Sequence, residues 1–354
     1  MIGGQQSITS SENLLRDHLG ALIDYVRSTE KKGLRARILN ISCVLDPGED
    51  NLARRLENCR KLSAVIEDIH QGSLIVDDIQ DSSCVRRGRP SLHVEYGIPL
   101  ALNAGNFLYF SALREALQLD LPCEKKLSLQ SVLVDAMAEA HEGQALDLGV
   151  KISGIGQTQV AALSHSTAKA KTGALVRAAF AGGYLLNSLF CADRFGHILR
   201  FGETWGAYLQ KLDDIGHYLA SSRGELPAHK AFEDFRHDRP TWIWGLAASK
   251  LSAKDFAEFR AEALRDPTGE KLRALLSGSG LLAQGVAEIT RELARLTEDL
   301  VAALKIESGT AKKITDEISI LNQSLVSAYA PARYFAPEPR FAAKAGIEPR
   351  EISL

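Results

Sequence analysis

A chain of 354 residues with 45% hydrophobic and 24% charged side chains has the make-up of a folded globular protein with a substantial core, which excludes global disorder. Its formal net charge of -2 excludes a general attraction to nucleic acid or anionic membrane, so anion binding must come from local lysine and arginine clusters. Cys43, Cys59, Cys84, Cys123 and Cys191 are scattered, with no CxxC pair and no histidine at zinc spacing. That pattern fits a reducing, cytoplasmic compartment rather than a disulfide scaffold.

From the N-terminus, Met1 to Ser10 is polar and lacks the basic and apolar regions of a secretory signal. Leu14, Leu19, Leu22, Ile23 and Val26 recur at helical spacing, and the pattern returns across Ile289 to Leu304. Helix breaks are expected at Asp46-Pro47-Gly48, Arg86 to Pro90, Gly97 to Pro99, Leu121-Pro122, Ser153 to Gly156 and Ser221 to Pro227. The intervals between them predict roughly a dozen helices. Few segments alternate strictly, so a sheet-based fold has little support and the class is all-α. No linker divides two cores; the expectation is a single domain over residues 1–330 and an irregular C-terminal extension over 331–354. The apolar stretch Gly173 to Ala192 is interrupted by Arg177, Gly182, Gly183 and Asn187, and it reads as a buried helix with no membrane span.

The chemistry-bearing segments come next. In His70-Gln-Gly-Ser-Leu-Ile-Val-Asp77-Asp78-Ile-Gln-Asp81, a helix puts Asp77 and Asp81 on one face with Cβ atoms about 5–6 Å apart. Such a pair is either a solvated acidic face or half of a magnesium site completed by substrate phosphates. Arg86, Arg87 and Arg89 follow directly, and guanidinium forks match phosphate oxygens, which favours the second reading. His70 is either a packed core histidine or a phosphate donor about two helical turns upstream of the aspartates. A second acidic segment, Gln210-Lys-Leu-Asp213-Asp214-Ile-Gly-His217, aligns Asp213 with His217 and, nearly, Gln210 on one stripe. Alone it also reads as a solvated acidic turn. Between the two lies Lys169-Ala-Lys171-Thr172-Gly173, where Lys171 is a candidate diphosphate ligand and Thr172 a cap. Near the N-terminus Lys32 and Arg35 share a helical face, which alone reads as a solvated charge run.

In this order the segments resemble the trans-isoprenyl diphosphate synthases, the geranylgeranyl diphosphate synthases above all. The likeness runs from about Lys31 to Thr241. It is carried by the stretch from Leu74 to Pro90, by Tyr96-Gly-Ile-Pro, by Asn103-Ala-Gly-Asn-Phe-Leu-Tyr-Phe, by His141-Glu-Gly-Gln-Ala-Leu-Asp147 and by Lys171-Thr-Gly. The resemblance implies an antiparallel helical bundle around a deep central cavity, in a homodimer, with about three Mg²⁺ ions as cofactors. It implies that Asp77, Asp81 and Asp213 bind metal, with Asp78, Asp214, Gln210 and Thr172 in support. Arg86, Lys171 and Lys230 would hold an allylic diphosphate, and Lys32, Arg35, His70 and Arg87 isopentenyl diphosphate. Prenyl transfer by ionisation and carbocation alkylation is the implied reaction.

The chain departs from the family at His217, where many relatives carry a third aspartate. Imidazole is a poor magnesium ligand, so His217 is expected to contact a metal-bound water. On that basis His217→Asp is expected to leave turnover within about tenfold. Gly33 and Arg239 also replace common basic residues, and His229 competes with Lys230 for one phosphate role. Small Gly72 and Ser73 before the first motif, with a deeper floor at Phe107 and His141, imply a twenty-carbon product. A class I terpene cyclase and a non-catalytic partner subunit are the rival readings.

Overall fold

The computed structural model describes residues 13, 15–28, 33–45, 52–187, 190–226, 231–268, 270–278 and 280–331. Lys32, His229 and Lys230, and the expected C-terminal extension beyond Pro331, lie outside the described residues. Two compact units are distinguishable: Met1–Met137 with Ala178–Leu199, and Ala138–Arg177 with Arg200–Leu354.

The first unit begins with a π-helical turn, Arg16–Gly20, leading into α1 (Ala21–Arg27), α2 (Leu34–Cys43) and the long α3 (Leu52–Gln80). A two-residue-per-strand hairpin follows, β1 (Val85–Arg86) and β2 (Arg89–Pro90), then α4 (Leu92–Tyr96) and α5 (Ile98–Leu117). α6 (Cys123–Gly149) starts in this unit, after the expected break at Leu121-Pro122. Helices α3 and α5 pack along their length. Gly72 and Gly105 permit this: a Cβ at Gly72 would stand 2.9 Å from the Gly105 carbonyl oxygen and 3.1 Å from the Tyr109 ring. Leu62, Ile66 and Leu108 are buried, as are Ile38 and Leu39 of α2. α1 buries Leu22, Ile23 and Val26 in a cluster with Ile75, Leu92, Ala101, Ala104 and Leu108.

The second unit takes the end of α6 and then α7 (Gln157–Ala168), a π-helical turn Lys169–Gly173, and α8 (Ala174–Leu185), which passes into the first unit at Ala178. α9 (Ala192–Ser222), α10 (Glu233–Arg236), α11 (Trp242–Lys250), α12 (Ala253–Arg265), α13 (Glu270–Arg273), α14 (Leu281–Leu304) and α15 (Ser308–Tyr329) complete the order. Ser252 caps α12 by accepting from the Asp255 amide at 3.2 Å. Trp244 packs between Phe235, tilted at 51°, and Phe259, edge to face at 76°, each ring centroid 5.3 Å away. Trp205 donates to Asn322 at 2.8 Å, fixing α9 against α15 through a buried polar contact.

The all-α expectation holds, and the hairpin is the sole strand pair among the described residues. The count exceeds a dozen because the short α4, α10 and α13 carry no periodicity of their own. No helix among the described residues is long and apolar enough to cross a membrane.

Candidate functional site

In the first unit the acidic motif ends α3. Asp78 is buried, while Asp77 and Asp81 are half-buried one turn apart. The chain then reverses through the hairpin, whose turn residues Arg87 and Gly88 both have positive φ, 52° and 76°. Arg86 lies in β1, ahead of that turn, and the earlier bend at Ser82, with φ 53°, returns it to the helix end. Its Nε donates to Asp78 Oδ1 at 2.9 Å, and Nη2 reaches Asp77 Oδ2 at 3.1 Å. Asp78 thus orients Arg86, and Arg87 stays exposed at the tip. His70 and Arg35 are half-buried in the same unit. Tyr109 lies below the motif, its phenol pushed up by burial and then by the Asp77 charge.

The second unit assembles Lys171 and Thr172 by close helix crossing. A Cβ at Gly143 would stand 2.6 Å from the Lys171 amide, and one at Gly173 2.5 Å from the Glu203 carbonyl oxygen. α6 and α9 therefore press directly on the π-helical turn, a feature common at functional sites. One turn after Gly143, buried Asp147 accepts from Lys171 Nζ at 2.8 Å, with Arg239 Nη1 at 3.8 Å. Thr172 donates its hydroxyl to Gln210 Oε1, and Gln210 Nε2 donates to Asp214 Oδ1 at 2.8 Å. The Trp242 amide donates to Asp214 Oδ2 at 2.6 Å. Burial, then the Asp234 charge, pushes the Asp214 carboxyl up to about 8 against the pull of these two donors. Asp213, next to it, is exposed.

His217 faces α10. Its Nδ1 lies 3.3 Å from Asp234 Oδ2 and its Nε2 3.7 Å from Glu233 Oε1, both on α10. Burial alone would lower this imidazole, yet the bond to Asp234 and the Asp234, Glu233 and Asp213 charges raise it to about 9. His217 thus links α9 to α10 through Asp234 and Glu233.

Gly72 has no side chain because α3 and α5 touch there. Ser73 is half-buried and donates back to the His70 carbonyl at 2.8 Å. Phe107 packs against the α1 cluster in the first unit, whereas His141 is exposed on α6 in the second. Sequence reasoning assigned no role to Asp147, Glu233, Asp234 or Tyr109. Asp147 stood within a quoted motif, but Asp234 carried no signal, since its partner is fixed only by the return of the chain after α9.

The residues present in each unit fit a hard cation: Asp77 and Asp81 in the first, and Asp213 in the second, offer carboxylate oxygen alone. Among the described residues no three His, Cys, Asp or Glu side chains gather into a metal site. Magnesium needs no such cage where substrate phosphates complete its shell.

A family model, polyprenyl synthetase, matches residues 16–276, which include every segment just described. The chain belongs to the polyprenyl synthetase family. A geranylgeranyl diphosphate synthase of Sulfolobus acidocaldarius is 30% identical over 257 residues, 71% of this chain and 72% of that protein. A geranylgeranyl pyrophosphate synthase of Clitopilus passeckerianus is 37% identical over 90 residues, 25% of this chain; the match spans only 26% of that relative's length. In three dimensions this polyprenyl synthetase resembles the crystal structure of a decaprenyl diphosphate synthase from Rhodobacter capsulatus. The TM-score is 0.69 at 18% identity, covering 92% of this chain and 97% of that one. At that identity the likeness speaks for the fold alone.

Proposed function

We propose that this polyprenyl synthetase is a trans-prenyltransferase that joins isopentenyl diphosphate head to tail to an allylic diphosphate, with geranylgeranyl diphosphate as its product. The observation that supports the reading is a cation paired with a carboxylate within each unit, Arg86 on Asp77 and Asp78, and Lys171 on Asp147. Asp77, Asp81 and Asp213 would hold magnesium, about three ions by family resemblance. When bound, the metal supplies positive charge against the departing diphosphate. Arg86, Lys171 and Lys230 bind the allylic diphosphate, and Thr172 and Gln210 order its surroundings. Charge-assisted bonds from these side chains stabilise the anion as the allylic C–O bond ionises. Lys32, Arg35, His70 and Arg87 hold isopentenyl diphosphate so that its double bond meets the cation before water does. The released diphosphate accepts the final proton.

A homodimer in the cytoplasm belongs to the same reading. On α5, Leu102, Phe110 and Leu117 are exposed at three-to-four-residue multiples, and Leu127 and Val134 are exposed on α6; Phe110 is 72% and Leu127 73% accessible. Sedimentation of the purified chain would show a dimer that Phe110→Glu weakens.

The deciding experiment is turnover of labelled isopentenyl diphosphate with C5, C10 and C15 allylic starters, with and without magnesium, followed by product sizing. Magnesium-dependent C20 product supports the proposal. Absence of incorporation from every starter refutes it. Hydrocarbon release from geranylgeranyl diphosphate alone would instead mark a cyclase, and activity only beside a second synthase would mark a partner subunit.

A further inference from the structure

The hairpin that carries Arg86 and Arg87 has two residues in each strand, too few to be stable unaided. Its second strand is gripped from α1. Tyr25 donates its hydroxyl to the Pro90 carbonyl at 3.0 Å, and the Arg89 guanidinium lies 4.0 Å over the Tyr25 ring centroid. Arg89 Nη1 also donates to Ser28 Oγ at 3.1 Å, and that hydroxyl donates to the Tyr25 carbonyl at 2.9 Å. The Tyr25 ring meets Tyr96 of α4 edge to face, with centroids 5.9 Å apart.

α1 is anchored in turn. Leu22, Ile23 and Val26 pack with Ile75 of α3, and Arg27 pairs bidentately with buried Asp68 of α3. A continuous set of contacts therefore runs from the aspartate-bearing helix through α1 to β2. Across the hairpin, Arg89 pairs with Arg86 and Pro90 with Val85. Arg86 has a second anchor in Asp77 and Asp78, whereas Arg87 occupies the turn at φ 52°. A non-glycine residue keeps a left-handed conformation only where its surroundings hold it there.

We propose that Tyr25 is a positioning residue: by clamping β2 it holds the turn that presents Arg87, and so sets the affinity for isopentenyl diphosphate. The inference rests on the function proposed above. It separates the two substrates, because Arg86 keeps its carboxylate anchor when the clamp is released.

The test compares the full-length chain with Tyr25→Phe, which keeps the ring, and Tyr25→Leu, which loses ring and hydroxyl. KM for isopentenyl diphosphate is expected to rise about threefold in Tyr25→Phe and about tenfold in Tyr25→Leu. The allylic KM and kcat are expected to stay within about twofold, the pattern of a lost binding contact. Hydrogen exchange of the amides in residues 85–90, measured without substrate, should quicken in Tyr25→Leu. An unchanged KM for isopentenyl diphosphate, equal losses for both substrates, or unaltered exchange would overturn the proposal. Lack of turnover by the unsubstituted chain would sink the prenyltransferase reading, and with it the substrate assignment, while the exchange measurement would still decide whether Tyr25 clamps the hairpin.

Discussion

Replacing His217 by aspartate tests the electrostatics of the second unit. The imidazole rises from 6.5 to about 9, which at ~1.4 kcal/mol per tenfold corresponds to roughly 3 kcal/mol from the His217 cluster. Because the folded value is raised, this stability is fully present below about 6.5 and is lost as pH rises through about 9. Asp234 and Glu233 face the ring from α10, Asp213 lies a turn earlier on α9, and Arg239 and Lys171 act on Asp234 from further off. Aspartate at 217 removes the cation and adds a like charge beside half-buried Asp234. Stripping one partner from a buried pair costs about 3–5 kcal/mol, and a half-buried pair falls at the lower end, so His217→Asp should melt about 4 °C below the unsubstituted chain at pH 7. Thermal melts monitored by circular dichroism, with His217→Gln alongside, would measure this. The gap between His217→Gln and the parent should close toward pH 10. Melting of His217→Asp within about 2 °C of the parent at pH 7, or a gap that stays constant with pH, would refute the assignment. Turnover of folded His217→Asp within about tenfold remains the expectation at low temperature.

Asp147→Asn removes the charge that aims Lys171, and a fall of about tenfold in kcat/KM for the allylic substrate is expected from steady-state kinetics. Gly143→Ala pushes a methyl to 2.6 Å from the Lys171 amide, and denaturant titration should show a loss of about 1–3 kcal/mol from overpacking. Gly72→Phe meets the Gly105 carbonyl before it meets any substrate, so it should lower stability rather than shorten product. Ser73→Phe, at a half-buried position, is the informative chain-length variant: product sizing should show a shorter prenyl chain, and an unaltered distribution would contradict the role of this position.

The helical class and the breaks at residues 97–99, 121–122 and 153–156 were legible, because periodicity, proline and glycine act locally. So was the closeness of Arg86 to Asp77, since Arg86 follows it by nine positions across one bend at Ser82. What helical spacing does not carry is the identity of the group that faces a stripe from another element. His217 and Asp213 share a stripe of α9, as predicted, but the direction of the imidazole is decided by Asp234 and Glu233 on α10. Gly72 shows the same limit. Its smallness, read in the sequence as room for substrate, also makes room for α5.

Charge pairing connects these local facts to the proposed chemistry. An isolated arginine or lysine held ready for diphosphate would raise the local potential and be free to adopt several rotamers. Here Arg86 and Lys171 each rest on a carboxylate, Asp78 and Asp147, that is itself buried. The carboxylate fixes the direction of the cation before substrate arrives and limits its cost in the free chain. A diphosphate then enters as an additional acceptor on a side chain already oriented, so little reorganisation accompanies ionisation. For that reason the buried carboxylates beside the cations, and not only the more accessible Asp77, Asp81 and Asp213, belong to the working parts of the proposed site.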